Sequence, residues 1–210
     1  MHLPTFFRRL VVIGTPLALG TLEIFHPMPG ENLIADLHPQ VGWWLTLHVL
    51  QLPLFGLMAL AVATLLTGAQ ARGVAAGVSR IALWCFAVFY IAFDTLAGVA
   101  AGLVASYASA LPADQQHALL PLIIDLNFSP IAIGITALGG IGWVTAVVAA
   151  AIALRQRGLA RNPAILLGLS AIFALHTPPT GPLGLLFFAL AAAWLEFVPQ
   201  YRPRSQPAAL

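Results

Sequence analysis

Four apolar runs, at about 9–26, 41–67, 79–108 and 129–154, are each long enough to cross a lipid bilayer and leave this chain few architectures to choose from. A spanning helix needs about 20 mainly apolar residues, so each run predicts one membrane helix. A fifth apolar stretch, 163–197, is too long for one straight span: at about 1.5 Å per residue it overshoots an apolar core about 30 Å thick. It is also interrupted at residues 176–182 by HTPPTGP, whose three prolines and glycine cannot continue a helix. Two short helices joined by a Pro-rich turn are predicted there, which gives about six spans. The fold class read from the sequence is therefore all-α, a polytopic transmembrane helical bundle over residues 1–200, with a disordered tail over 201–210.

Composition agrees with a membrane protein. The chain is 60% hydrophobic and 8% charged, with a mean hydropathy of +0.93, where soluble domains carry about 25% charged residues. Its net charge of +2 is too small and too dispersed for nucleic-acid binding. The lone Cys85 excludes a disulfide framework or a thiolate metal site and reads as a small packing residue. No lysine is present for a retinal Schiff base, and Gly-x-Ser-x-Gly, His-Glu-x-x-His and P-loop motifs are absent. Arg8 and Arg9 before the first apolar run resemble a signal peptide, but the run continues to Phe25, longer than a signal core, and predicts an uncleaved first helix.

Arginine placement supports six crossings. Arg8 and Arg9 precede the first helix, Arg72 and Arg80 adjoin the second turn, Arg155, Arg157 and Arg161 lie between the fourth and fifth helices, and Arg202 and Arg204 follow the sixth. With six spans all nine fall on one side, which the positive-inside rule makes cytoplasmic together with both termini. The opposite loops carry Glu31, Asp36, Asp114 and Asp125. The largest loop, 109–128, contains ADQQHALLPLIIDLNF, which predicts a short helix on the outer membrane surface. Trp43 and Trp44 are placed as aromatic anchors at the outer interface.

This topology gathers the polar residues in the outer half of the membrane. Glu23-Ile-Phe-His26 sets a carboxylate and an imidazole three residues apart, on one helix face. His48 and Gln51 follow one turn apart in the second helix, Asp94 lies in the third, and His176 ends the fifth. His38, His117 and Asp125 fall in the loops above. Ionisable groups in the bilayer cost about 2.5–3.5 kcal/mol each on insertion scales and normally face partners or a functional site. Gly98 and Gly102 follow Asp94 at i+4 and i+8, a small-residue face that lets a neighbouring helix approach closely or leaves space for a ligand.

Imidazoles and carboxylates in such a cluster suit zinc, iron, manganese or copper. The predicted centre is a divalent transition metal, zinc or iron, on His26, His48 and His176, with Glu23 and Asp94 as supporting or acid–base groups. One Glu-x-x-His pair is too few for a di-iron bundle site. The function expected is that of an integral membrane protein with an outward-facing, metal-binding His/carboxylate pocket. One reading of that pocket is a metal-dependent enzyme acting on an amphipathic or lipid-like small molecule; the sequence leaves open whether the protein is an enzyme. The alternatives are a transporter, a proton-sensitive sensor or a subunit of a membrane complex, and a b-type haem protein with two of these histidines as axial ligands. Proline-broken helices at Pro53, Pro130 and Pro178-Pro179 favour the transporter alternative. Six short helices are few for a whole transporter, which a homodimer or larger complex would answer. The lipid bilayer is the expected partner, and the location a bacterial cytoplasmic (inner) membrane.

Overall fold

The computed structural model describes residues 4–28, 30 and 33–198, so Glu31, Arg202, Arg204 and the predicted tail lie outside the described residues. Within them the chain is all-helical. The helices are α1 (Thr5–Ile24), α2 (Leu33–Leu37), α3 (Val41–Gly68), α4 (Val74–Ala108), α5 (Ala113–Phe128), α6 (Pro130–Gln156), α7 (Arg161–Ala174) and α8 (Thr180–Phe197). Five helical stretches are long and apolar enough to cross a membrane; α7 is shorter and finishes in a 3-10 turn, Ser170–Ala174. The helices carry large exposed apolar side chains all round the bundle, among them Ile81, Trp84 and Ile131. That coat far exceeds the patches soluble proteins expose and marks a multi-pass membrane protein.

Helix boundaries follow local chemistry. Pro130 opens α6 at its first turn, where its missing N–H costs nothing, and the Ser129 hydroxyl caps the Ala132 N–H at 3.3 Å. The 109–128 loop does contain a helix, α5, spanning the whole ADQQHALLPLIIDLNF segment. Pro53, expected to break a helix, instead sits inside a continuous α3; neighbouring helices in a bundle tolerate such a proline by satisfying the freed backbone locally. The break at 176–182 is present, between Ala174 and Thr180, and the Pro178–Pro179 peptide is cis.

Two glycines set the most extensive helix contact, between α4 and α6. A Cβ on Gly142 would lie 2.7 Å from the Phe86 backbone nitrogen, and one on Gly139 would lie 2.9 Å from the Tyr90 ring. Small residues at these positions let the backbones touch, and Ser79 donates across the seam to the Ala146 carbonyl at 2.8 Å. α8 closes the bundle against α1 and α7. Phe55, Phe86, Tyr90, Trp143, Phe173 and Phe188 are fully buried between the helices as an aromatic floor, and Trp143 Nε1 donates to Ser170 O at 2.9 Å.

The two ends of the bundle differ in chemistry. At one end Arg8 Nε meets Glu196 Oε1 at 2.7 Å, Arg8 packs on Gly68, Arg157 donates to Ala69 O and Arg80 to Ala71 O. At the other end Trp43 Nε1 donates to Phe25 O at 2.8 Å, tying the end of α1 to the start of α3. There α2 and α5 pack onto α3 and α4 through Ile34, Leu37, Trp44, Ala105 and Ile123. The predicted polar residues lie towards this second end.

Candidate metal centre

Four elements meet here. α1 delivers Glu23 and, just past its end, His26; α3 delivers Trp44, His48 and Gln51; α4 delivers Tyr90 and Asp94; the α7–α8 turn delivers His176. Asp94 begins a π-helical stretch, Asp94–Ala100. Such wide turns inside α-helices recur at functional sites. Within it, the Gly98 carbonyl accepts Trp44 Nε1 at 2.7 Å. A Cβ on Gly98 would overlap the His48 ring, and one on Gly102 would lie 2.6 Å from the Trp44 ring. The Gly98/Gly102 face read from the sequence thus seats two aromatic rings of the site rather than only a helix backbone.

The three imidazoles stand together. The His26 ring centre lies 5.1 Å from that of His48 and 5.6 Å from that of His176, in edge-to-face contacts. Each ring has its Nδ1 engaged. His26 Nδ1 donates to Pro27 O at 2.8 Å and His48 Nδ1 to Trp44 O at 2.7 Å. His176 Nδ1 lies 3.1 Å from the Tyr90 hydroxyl, itself 3.2 Å from Ala174 O; with its proton on that carbonyl, Tyr90 accepts from Nδ1. In the neutral rings this pattern leaves each Nε2 as the lone-pair nitrogen, the arrangement that prepares histidine for a metal. Burial pushes the His26 imidazole below its ordinary pKa, opposed by the bond to Pro27, which favours that neutral form.

The carboxylates complete the cluster. Glu23 is fully buried, and its Oε1 accepts from Gln51 Nε2 at 2.7 Å. Asp94 Oδ1 stands 3.9 Å from His48 Nε2, too far for a hydrogen bond. Among the described residues, five buried side-chain N or O atoms have no hydrogen-bond partner, and four of them are here: Glu23 Oε2, His26 Nε2, Gln51 Oε1 and Asp94 Oδ2. Native proteins satisfy nearly all such atoms, so these four are atoms that a bound ion or water would satisfy. Ligand atoms of Glu23, His26 and His176 all lie within 4.8 Å of one another; one tetrahedral ion with bonds of about 2.0–2.2 Å would hold them about 3.4 Å apart, so binding would draw them together by up to about 1.4 Å.

All five predicted site residues are therefore neighbours, but in a different grouping from the one expected. Glu23 stands with His26 and His176 in the ligand-atom group, while His48 lies beside it with its Nε2 towards Asp94. His38, His117 and Asp125 are exposed and outside the group. Sequence reasoning missed Tyr90 and Trp44 as groups that orient the imidazoles. The only available hint was their position four residues before Asp94 and His48 on the same helix faces.

Comparison with protein-family models, with curated proteins and with solved structures gives no match. The architecture is that of a multi-pass helical membrane protein, and its His/carboxylate group can hold a metal ion.

Proposed function

We propose that this protein is a membrane metalloenzyme with a single zinc or iron ion held by Glu23, His26 and His176. The observation that carries the reading is the set of orphaned buried atoms around those ligands. Two imidazoles and one carboxylate are the donor set of catalytic zinc and of non-haem iron sites, both of which keep open positions. Two buried carboxylates, Glu23 and Asp94, also call for a compensating positive charge. The nearby helix ends offer none, because Arg8, Arg80 and Arg157 lie at the opposite end. A divalent ion balances both.

The residues around the ion have separate tasks. Gln51 holds Glu23, Tyr90 orients His176, and Trp44 orients His48. His48 and Asp94 stand next to the ligands without belonging to them, a placement that would suit moving a proton to or from a substrate held beside them. An ion of this kind supplies Lewis acidity and an activated water. The His26 ring stands edge-to-face against both the His48 and the His176 ring, at 5.1 and 5.6 Å, which leaves no room for a porphyrin between His26 and either of them.

The substrate reading rests on what lies beside the site. An apolar groove of about 550 Å³ lies on the bundle surface between α1 and α8, lined by Gly20, Ile24, Pro178 and Leu183 among others. Gly20 and Ile24 flank Glu23, and Pro178 is two residues from His176. The groove faces lipid, so the site is suited to an amphipathic or lipid-like molecule arriving from within the bilayer. With α7 as a short fifth crossing the chain spans six times, the arginine end is cytoplasmic, and the site lies near the outer leaflet.

The test is elemental analysis of the full chain, purified in mild detergent without chelators or a histidine tag. The expected result is near-stoichiometric zinc or iron, lost in Glu23→Gln, His26→Ala and His176→Ala. Absence of metal after supplementation with both ions would sink the proposal and leave a structural polar cluster.

A further inference from the structure

A second site, independent of the metal centre, lies at the arginine end. A surface cavity of about 470 Å³ opens at the turn between α6 and α7. Its rim is Arg155, Gln156 and Arg161; its floor is apolar, with Ile152 from α6 and Ala164 and Ile165 from α7. Two cations and an amide thus stand directly above a hydrocarbon-like trough, at the end of a membrane-spanning helix.

The charges here are unbalanced. At the same end of the bundle Arg8 and Arg9 share Glu196, at 2.7 and 4.0 Å. Among the described residues, Arg155 and Arg161 have no carboxylate within ion-pair distance. Arg155 spends one guanidinium N–H on the Leu159 carbonyl, which holds the group over the turn and leaves its other donors free. Both arginines are exposed, as are Ile152 and Ile165 beneath them. A ligand complementary to this site carries a negative head with several oxygen acceptors and an apolar body that runs down the helices. Basic pockets between membrane helices take anionic lipid head groups for this reason, and the planar guanidinium forks match phosphate oxygens bidentately.

We infer that this cavity is a binding site for an anionic phospholipid of the surrounding bilayer, its phosphate on Arg155 and Arg161 and an acyl chain on Ile152 and Ile165. Gln156 supplies a further donor to the head group. Such a lipid would splint the α6–α7 turn, joining the long α6 to the short helix that carries the chain towards His176.

Native mass spectrometry of the full chain in mild detergent, titrated with phosphatidylglycerol or phosphatidylcholine, tests the inference. Phosphatidylglycerol is expected to bind in preference to phosphatidylcholine, and Arg155→Gln/Arg161→Gln to weaken it about 25-fold, at roughly five-fold per arginine. Ile165→Trp, which keeps both charges and fills the floor, is expected to lower occupancy as well. Arg72→Gln, a charge change at the same end but outside the cavity, is expected to retain wild-type binding. Equal binding of the two lipids would reduce the cavity to ordinary apolar lipid contact and overturn the inference. So would a double variant or Ile165→Trp that binds phosphatidylglycerol like wild type, or an Arg72→Gln that loses it as fully as the double variant.

Discussion

Replacing Gly98 by alanine adds one methyl group where the His48 ring packs against α4. Its Cβ would overlap the His48 ring and lie 2.9 Å from His48 Cβ. The ring cannot swing away freely. Nδ1 is held by Trp44 O at 2.7 Å, Trp44 is itself held through Nε1 on the Gly98 carbonyl at 2.7 Å, and the two rings pack at 4.2 Å. Overpacking of this kind costs about 1–3 kcal/mol, and losing one of the hydrogen bonds about 0.5–1.5 kcal/mol more. The gain in helix propensity offsets about 1 kcal/mol, so the net destabilisation is about 0.5–3.5 kcal/mol. Thermal melting in mild detergent reads it directly, with Gly77→Ala as control, since nothing lies within 4 Å of a Cβ there. In a His48→Ala background the overlap with the ring is gone and only the 2.9 Å approach to the Cβ of residue 48 remains, so Gly98→Ala is expected to cost clearly less, a coupling that a double-mutant cycle isolates. If Gly98→Ala melted like Gly77→Ala in the wild-type background, the wedge of His48 between Trp44 and α4 would be refuted.

Other expectations probe separate links. Gln51→Leu removes the donor on Glu23 Oε1 and should weaken metal binding by about 10–100-fold, read by competition with a metal indicator. Tyr90→Phe frees His176 Nδ1 and should weaken metal binding to a similar extent; unchanged affinity would mean the hydroxyl orients nothing. Gly142→Ala sets a Cβ 2.7 Å from the backbone nitrogen of Phe86. Because backbone cannot rotate aside, a loss of about 3 kcal/mol or more is expected, at the upper end of the overpacking range, visible as a lower melting temperature or loss of the folded protein. Glu196→Gln leaves Arg8 and Arg9 without their shared carboxylate; with Glu196 only 6% exposed, a loss of about 1–3 kcal/mol is expected, again by melting.

The sequence by itself determined the helical class, the approximate helix ends and the company of polar residues at one end of the bundle. The reason is solvent: in hydrocarbon the backbone must be satisfied within each segment, so apolar length alone fixes a helix, and arginine spacing fixes which turns share a side. Pro130 and the 176–182 turn were legible because proline has only a few places in a helix; Pro53 was not, because tolerance of an internal proline depends on what packs beside it. The roles inside the site were beyond sequence. Which of Glu23 or His48 faces His26 and His176 depends on helix rotation, which apolar content all round the helix leaves undetermined. The π-helical stretch at Asp94, the Gly98 contact that seats His48, and the Tyr90 hydroxyl behind His176 arise only where α3, α4 and the α7–α8 turn close on one another, and that closure is decided by tertiary packing.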